Sequence, residues 1–134
     1  MQKNTSILYV TLFIITCIAF TPRKKFQTPW PVPDEYKKKV NPVKGDTMAT
    51  ATGKTLYTLH CKSCHGIKGK GDGPKAAQLD TECGDFSTPS FQAQTDGTLF
   101  YKTIEGRKDM PPFKIKIPEQ NDIWAIINYM RTLK

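Results

Sequence analysis

Cys61-Lys62-Ser63-Cys64-His65 is the stretch on which the reading of this chain turns. On a helical turn, positions i, i+3 and i+4 share one face. The spacing therefore gathers two thiols and an imidazole on one side of the backbone. Two thiols so placed can bond the two vinyl groups along one porphyrin edge, and the next side chain then turns its imidazole over the ring. C-x-x-C-H is the spacing of covalent haem attachment, and histidine is a common proximal ligand of haem iron. His65-Gly66 leads into Gly69, Gly71, Asp72, Gly73 and Pro74. Glycines at that density let backbone approach a flat surface closely.

An iron bound by His65 leaves a sixth position, for which Met48, Met110, Met130 and His60 are the candidates. Met130 falls on an apolar helical stripe, where methionine is ordinarily packing. Met48 precedes a helix, and His60 adjoins a tethering cysteine and cannot easily swing to the far face. Met110 stands 45 residues past His65, in a loop stiffened by Pro111-Pro112. It is the expected ligand, and a thioether there raises the reduction potential. Were Met110 absent from iron, the open position would fit a peroxidase or gas sensor. A structural zinc reading uses Cys61, Cys64 and Cys83 with His60 or His65 as a Cys₃His set. It leaves the glycine loop and Met110 unexplained.

Outward from this centre the sequence reads as helices. One runs from a cap at Thr47 to about His60, with Met48, Leu56 and Leu59 on one face and Gly53 and Tyr57 beside them. A second is capped by Asp96, turns Leu99, Phe100, Thr103 and Ile104 inward, and ends at Gly106. In a third, Pro118 suits the first turn. There Ile123, Ile126, Ile127, Met130 and Leu133 follow the i, i+3, i+4, i+7 pattern, and Arg131 and Lys134 suit the negative end of the dipole. The Gly/Pro-rich stretches 66–95 and 106–117 are long for so small a domain. They make sense as loops wrapped around a large cofactor.

The 134 residues allow one domain. The composition excludes collagen, coiled coil, a polytopic membrane protein and wholesale disorder. The net charge of +8 is unevenly placed. Residues 23–45 carry seven Lys/Arg against Asp34 and Glu35, whereas residues 46–134 carry 12 basic and 10 acidic residues. The basicity thus belongs mostly to the segment before the domain, which argues against a nucleic-acid face. Ile7–Phe20 is an almost wholly apolar run preceded by Lys3, with the length of a signal-peptide core and short for a membrane span. Three outcomes stand open for residues 1–20: cleavage after Ala19, retention as a membrane anchor, or lipidation at Cys17. Each implies export, with the domain on the periplasmic side and membrane-anchored in the last two. Residues 21–45, with Pro22, Pro29, Pro31, Pro33 and Pro42, read as an extended Pro/Lys-rich linker, on which Phe26, Trp30 and Val32 can dock against the domain. Residues 46–134 form the domain.

These segments together resemble a monohaem class I cytochrome c of the short bacterial type. Gly53-x-x-Leu56-Tyr57 through Cys61-x-x-Cys64-His65-Gly66 resembles the first helix and haem motif, and Gly69-x-Gly71-Asp72-Gly73-Pro74 the loop after it. Asp96-Gly97-x-Leu99-Phe100 through Gly106-Arg107, Met110-Pro111-x-Phe113, and Ile123-Trp124-x-x-x-Asn128-Tyr129 resemble the remaining helices and the ligand loop. The resemblance covers about 46–134. It implies a small all-α fold wrapped around one covalent haem c, with the first and last helices crossing near Gly53. It also implies that the Pro74 carbonyl accepts a hydrogen bond from the second nitrogen of His65, fixing the ring. Cys83 departs from the pattern and is expected as a free, part-buried thiol or an intermolecular link.

The expected function is one-electron transfer between respiratory-type redox protein partners, with no substrate chemistry because His65 and Met110 close both axial positions. The alternative is a haem c subunit of a larger membrane-bound oxidase or dehydrogenase complex. Lys62, Lys68, Lys70, Arg107, Lys108, Lys114 and Lys116 surround the motif and the methionine loop. They read equally as a docking ring for an acidic partner and as an ordinary solvated surface.

Overall fold

The computed structural model describes residues 29–134. The targeting segment, Cys17 and Phe26 lie outside the described residues. Six α-helices follow in order: α1 (Asp34–Lys37), α2 (Thr47–His60), α3 (Lys62–His65), α4 (Pro89–Gln92), α5 (Asp96–Glu105) and α6 (Gln120–Met130), with one 3₁₀ turn at Ala76–Gln78. The fold among these residues is all-α, as expected; the one β feature is an isolated bridge between Arg107 and Met110.

Helix α2 crosses α6 at Gly53, where a Cβ would run into the Ala125 carbonyl. Glycine is weak in a helix interior, and this close approach is the reason for it here. Tyr57, one turn on, is buried, as are Leu99, Phe100, Ile123, Ile126 and Ile127. Phe100 stacks on Trp124 at 4.1 Å between ring centres. The stripe expected on the last helix is therefore the core.

The ends of the helices differ from expectation. The cap of α2 is Asp46, not Thr47: its Oδ1 accepts from the backbone N–H groups of Met48 (2.8 Å) and Ala49 (3.0 Å). The cap of α5 is Thr95, not Asp96. Asp96, one residue inside, instead accepts from Arg131 Nε (2.9 Å) and Nη2 (2.7 Å), joining the start of α5 to the end of α6. Helix α6 begins at Gln120, so Pro118 precedes it. Met48 and Leu59 are exposed rather than inward, at 76% and 73%. The buried face of α2 is narrow because Gly53 brings the α6 backbone so near.

Part of residues 21–45, expected as an extended linker on which single residues can dock, packs against the helices. Val32 is buried. Tyr36 lies 4.8 Å from the Tyr101 ring centre and 6.5 Å from that of Phe100. Its carbonyl faces Gly97, where no Cβ would fit. Asn41 is buried, and its Nδ2 donates to Asn128 Oδ1 at 2.9 Å and Asp96 Oδ2 at 3.3 Å. Asn128 Nδ2 in turn donates to the Val43 carbonyl at 2.6 Å. Proline density indicated extended backbone, but α5 and α6 supply hydrogen-bond partners that a local reading cannot see.

Candidate haem-attachment site

Cys61 ends α2, its N–H donating to the Tyr57 carbonyl at 2.8 Å. The chain then tightens into α3, with Cys64 and His65 both donating to the Cys61 carbonyl, at 3.2 and 3.0 Å. This short turn puts Cys61, Cys64 and His65 on the wall of one cavity of about 880 Å³, at the upper end of the size of small-molecule and cofactor sites. Neither cysteine is engaged in a disulfide. Burial, reinforced by Cys64, pushes the Cys61 thiol up to about 12, so it is held as a neutral thiol. Burial pulls the His65 imidazole down to about 4, against an opposing backbone interaction at Cys83. The ring is therefore neutral at physiological pH, the form that binds a metal.

The turn is locked from behind. Tyr57 Oη donates to the Gly66 carbonyl at 2.7 Å, and burial pushes its phenol up, so it stays a donor. The glycine loop folds back over the motif. Gly71 N–H donates to the His65 carbonyl (2.9 Å), Gly73 to Cys64 (3.1 Å) and Lys75 to Ser63 (2.9 Å). Gly73 sits so near the Ser63 carbonyl that a Cβ would collide with it, and Gly71, with φ +74°, is pressed against Gly84. These glycines were expected to approach a flat surface; Gly71 and Gly73 approach the protein's own backbone, Gly69 approaches the side chains of Phe86 and Leu133, and none of the three lines the cavity.

The His65 ring centre is 4.6 Å from that of Phe86. Its Nδ1 is buried with no hydrogen-bond partner. The ring lies against Phe86 and Cys83, and its hydrogen bond to the Pro74 carbonyl stays what the family resemblance implies.

Met110 lines the same cavity. Its N–H donates to the Arg107 carbonyl at 3.0 Å and its carbonyl accepts from Arg107 N–H at 2.8 Å. Phe113 N–H, just beyond, donates to the Thr103 carbonyl at 3.1 Å and anchors the loop to α5. Of the other candidate ligands, His60 and Met130 also border the cavity, while Met48 does not and is exposed. Met130 is buried within the core stripe.

Several further residues line the cavity, of which Phe86 and Phe91 had no signal in the sequence and the others were not read as part of the haem site. Phe86 and Phe91 stack at 4.4 Å in a stretch without periodicity. Leu59, an exposed leucine on a core helix, borders the cavity too. Trp30 reaches the rim from the linker. Cys83 is free, half-buried and on the wall, with its thiol pushed up first by burial and then by Cys64 and Asp109. The zinc alternative is not built: among the described residues no three His, Cys, Asp or Glu side chains gather as a metal site.

Two cysteines in no disulfide, a neutral imidazole with an unpartnered buried nitrogen, and a large cavity beside them fit a covalently attached haem. The fold and site define a small helical haem-binding domain. The cytochrome c family model matches residues 50–134. Cytochrome c-554(547) of Halothiobacillus neapolitanus is 35% identical over 88 residues, spanning 63% of this chain and 96% of its own length. Among solved structures, a chain of the Kuenenia stuttgartiensis reducing HAO-like protein complex Kustc0457/Kustc0458 superposes with a TM-score of 0.63 at 24% identity. That match covers 81% of this chain, which spans about half (52%) of the other. The c-type cytochrome KustC0563 gives a TM-score of 0.54 at 31% identity, covering 61% of this chain and 96% of that one. This chain belongs to the cytochrome c family, whose cofactor is a covalently bound haem c, and it presents the Cys61/Cys64 pair that such attachment uses.

Proposed function

We propose that this protein is a one-electron carrier in which His65 and Met110 are the two axial ligands of a single haem c. The haem supplies the one-electron iron couple; the chain supplies its tether, its ligands and its shielding from water. The observation that carries the reading is that Met110 borders the same cavity as Cys61, Cys64 and His65 while held by a two-bond bridge to Arg107. With His65 and Met110 both on iron, no position there would be left for a substrate.

The basic residues read as a docking ring are partly engaged. Lys114 pairs with Glu105 at 2.7 Å, and Arg107 donates to the Pro29 carbonyl at 2.9 Å. Lys62, Lys68, Lys70, Lys108 and Lys116 stay as candidates for steering an acidic redox partner. The apolar run Ile7–Phe20 supports a place on the periplasmic side of the membrane, tethered by the N-terminus, since haem is attached to such motifs after export. Purification of the carrier free of partners fits this function; recovery in fixed ratio with an oxidase or dehydrogenase would make it a subunit instead.

The test is the absorption spectrum of protein exported from a host with haem-attachment machinery. The ferric form is expected to show the weak far-red band of sulfur bound to iron. Met110→Leu is expected to lose it and to lower the reduction potential by on the order of 0.1–0.3 V, within the ~0.8 V that axial ligands span. A band that survives in Met110→Leu would remove Met110 from iron.

A further inference from the structure

Pro29 and Trp30 lie 78 residues before the methionine turn in sequence and directly against it in space. The Arg107 guanidinium stands over the Trp30 ring, 4.5 Å from its centre, and its Nη1 donates to the Pro29 carbonyl at 2.9 Å. Lys102 Nζ is 5.5 Å from the same ring centre. Guanidinium over indole is a favourable pairing, strongest where water is excluded. The backbone of the same Arg107 makes both bridge hydrogen bonds to Met110. Between the two, Lys108 adopts φ +53°, a left-handed conformation that a residue with a Cβ adopts at a cost. Trp30 also lines the cavity that Met110 lines. The Pro29–Trp30 strap therefore grips the side chain of the residue whose main chain grips the ligand.

We infer that Trp30 is a positioning residue for Met110: by clamping Arg107 it holds the 107–110 turn shut and sets how readily an outside ligand displaces the methionine from haem iron. The inference rests on the reading of Met110 as axial ligand. Imidazole binds only when the methionine has left, so its apparent affinity is scaled by the open fraction of the turn. Removing the ring enlarges that fraction. The rest of the 29–45 segment grips α5 and α6 through Tyr36 and Asn41, away from the cavity, and supplies a control.

The experiment is imidazole titration of the haem-loaded, full-length protein, followed at the far-red band, for wild type, Trp30→Ala, Trp30→Phe, Arg107→Ala and Tyr36→Ala. Trp30→Ala and Arg107→Ala are each expected to tighten imidazole binding about tenfold, with the double variant no tighter than either single one because they break the same clamp. Trp30→Phe, which keeps an aromatic face, should stay near wild type. Tyr36→Ala should lower the thermal midpoint and leave imidazole affinity unchanged. Unchanged affinity in Trp30→Ala, or an equal rise in Tyr36→Ala, would overturn the inference. A wild-type protein lacking the far-red band would instead overturn the ligand assignment beneath it.

Discussion

At the scale of single residues, this protein relies on side chains serving two elements at once. Arg131 shows it most plainly. Its guanidinium donates to Asp96 and to the carbonyls of Gln92 and Gln94, so one side chain at the end of α6 fixes both the start of α5 and the segment before it. The pair is largely shielded, with side chains 23% and 13% exposed. Arg131→Ala is expected to destabilise the fold by about 2–3 kcal/mol, somewhat below the loss for a fully buried pair, read from urea unfolding of the haem-loaded protein. The surface pair Lys37–Asp34, at 2.7 Å but with side chains 50% and 81% exposed, contributes little by the same reasoning. His65 is the residue at which local and long-range demands meet. Its neutral, half-buried ring suits a metal ligand, and among the described residues its Nδ1 is the buried side-chain nitrogen or oxygen left without a hydrogen-bond partner.

At the scale of elements, the crossing of α2 and α6 positions the haem motif. Gly53 lets the helices touch, Tyr57 packs between them and holds Gly66, and the chain turns into Cys61 one step later. A side chain at Gly53 would have to push the Ala125 backbone away. Gly53→Ala is accordingly expected to cost about 3 kcal/mol, at the top of the usual range for overpacking because the obstacle is main chain rather than a movable side chain, and despite alanine's better helix propensity. Thermal melting checks it: a midpoint at or above wild type would contradict the crossing geometry. The methionine loop is positioned differently, by backbone bonds to the end of α5 and by the contact of Trp30 with Arg107. One axial candidate thus sits on a helical turn packed into the core, and the other on a turn held by hydrogen bonds and a strap.

At the scale of the whole molecule, a cavity of about 880 Å³ in 106 described residues is a large void for so small a core. A domain of this size has little apolar burial to spare, and a bound group that contacts only the folded state stabilises it by linkage. The Cys61→Ser/Cys64→Ser double variant, which cannot form either thioether, is expected to lose haem on purification. It should then lose its cooperative melting transition, with reduced helical circular dichroism and increased binding of an apolar dye. A haem-free variant that still melted cooperatively would show that the helices alone make the core.

The sequence by itself determined the haem motif, the three principal helices and the apolar stripe of α6, while the crossing at Gly53 came only as what the family resemblance implies. Motif, helices and stripe are each written within a few consecutive residues, as a spacing or a 3.6-residue period, and need no knowledge of what lies opposite. It also singled out Met110, because a methionine before two prolines is a local pattern. Tertiary structure alone decided that Tyr36 and Asn41 of the expected linker pack on the helices, since they find their partners on α5 and α6, more than fifty residues away. It decided that Asp96 serves Arg131 rather than its own helix, that Gly71 and Gly73 pack on backbone, and that Leu59 and Cys83 border the cavity. The same holds for Trp30, which a proline-rich stretch offers only as a residue free to dock. Its partner is set by where α5 ends, and contacts closed across such distances are chosen by packing and hydrogen-bond geometry, which no local period records.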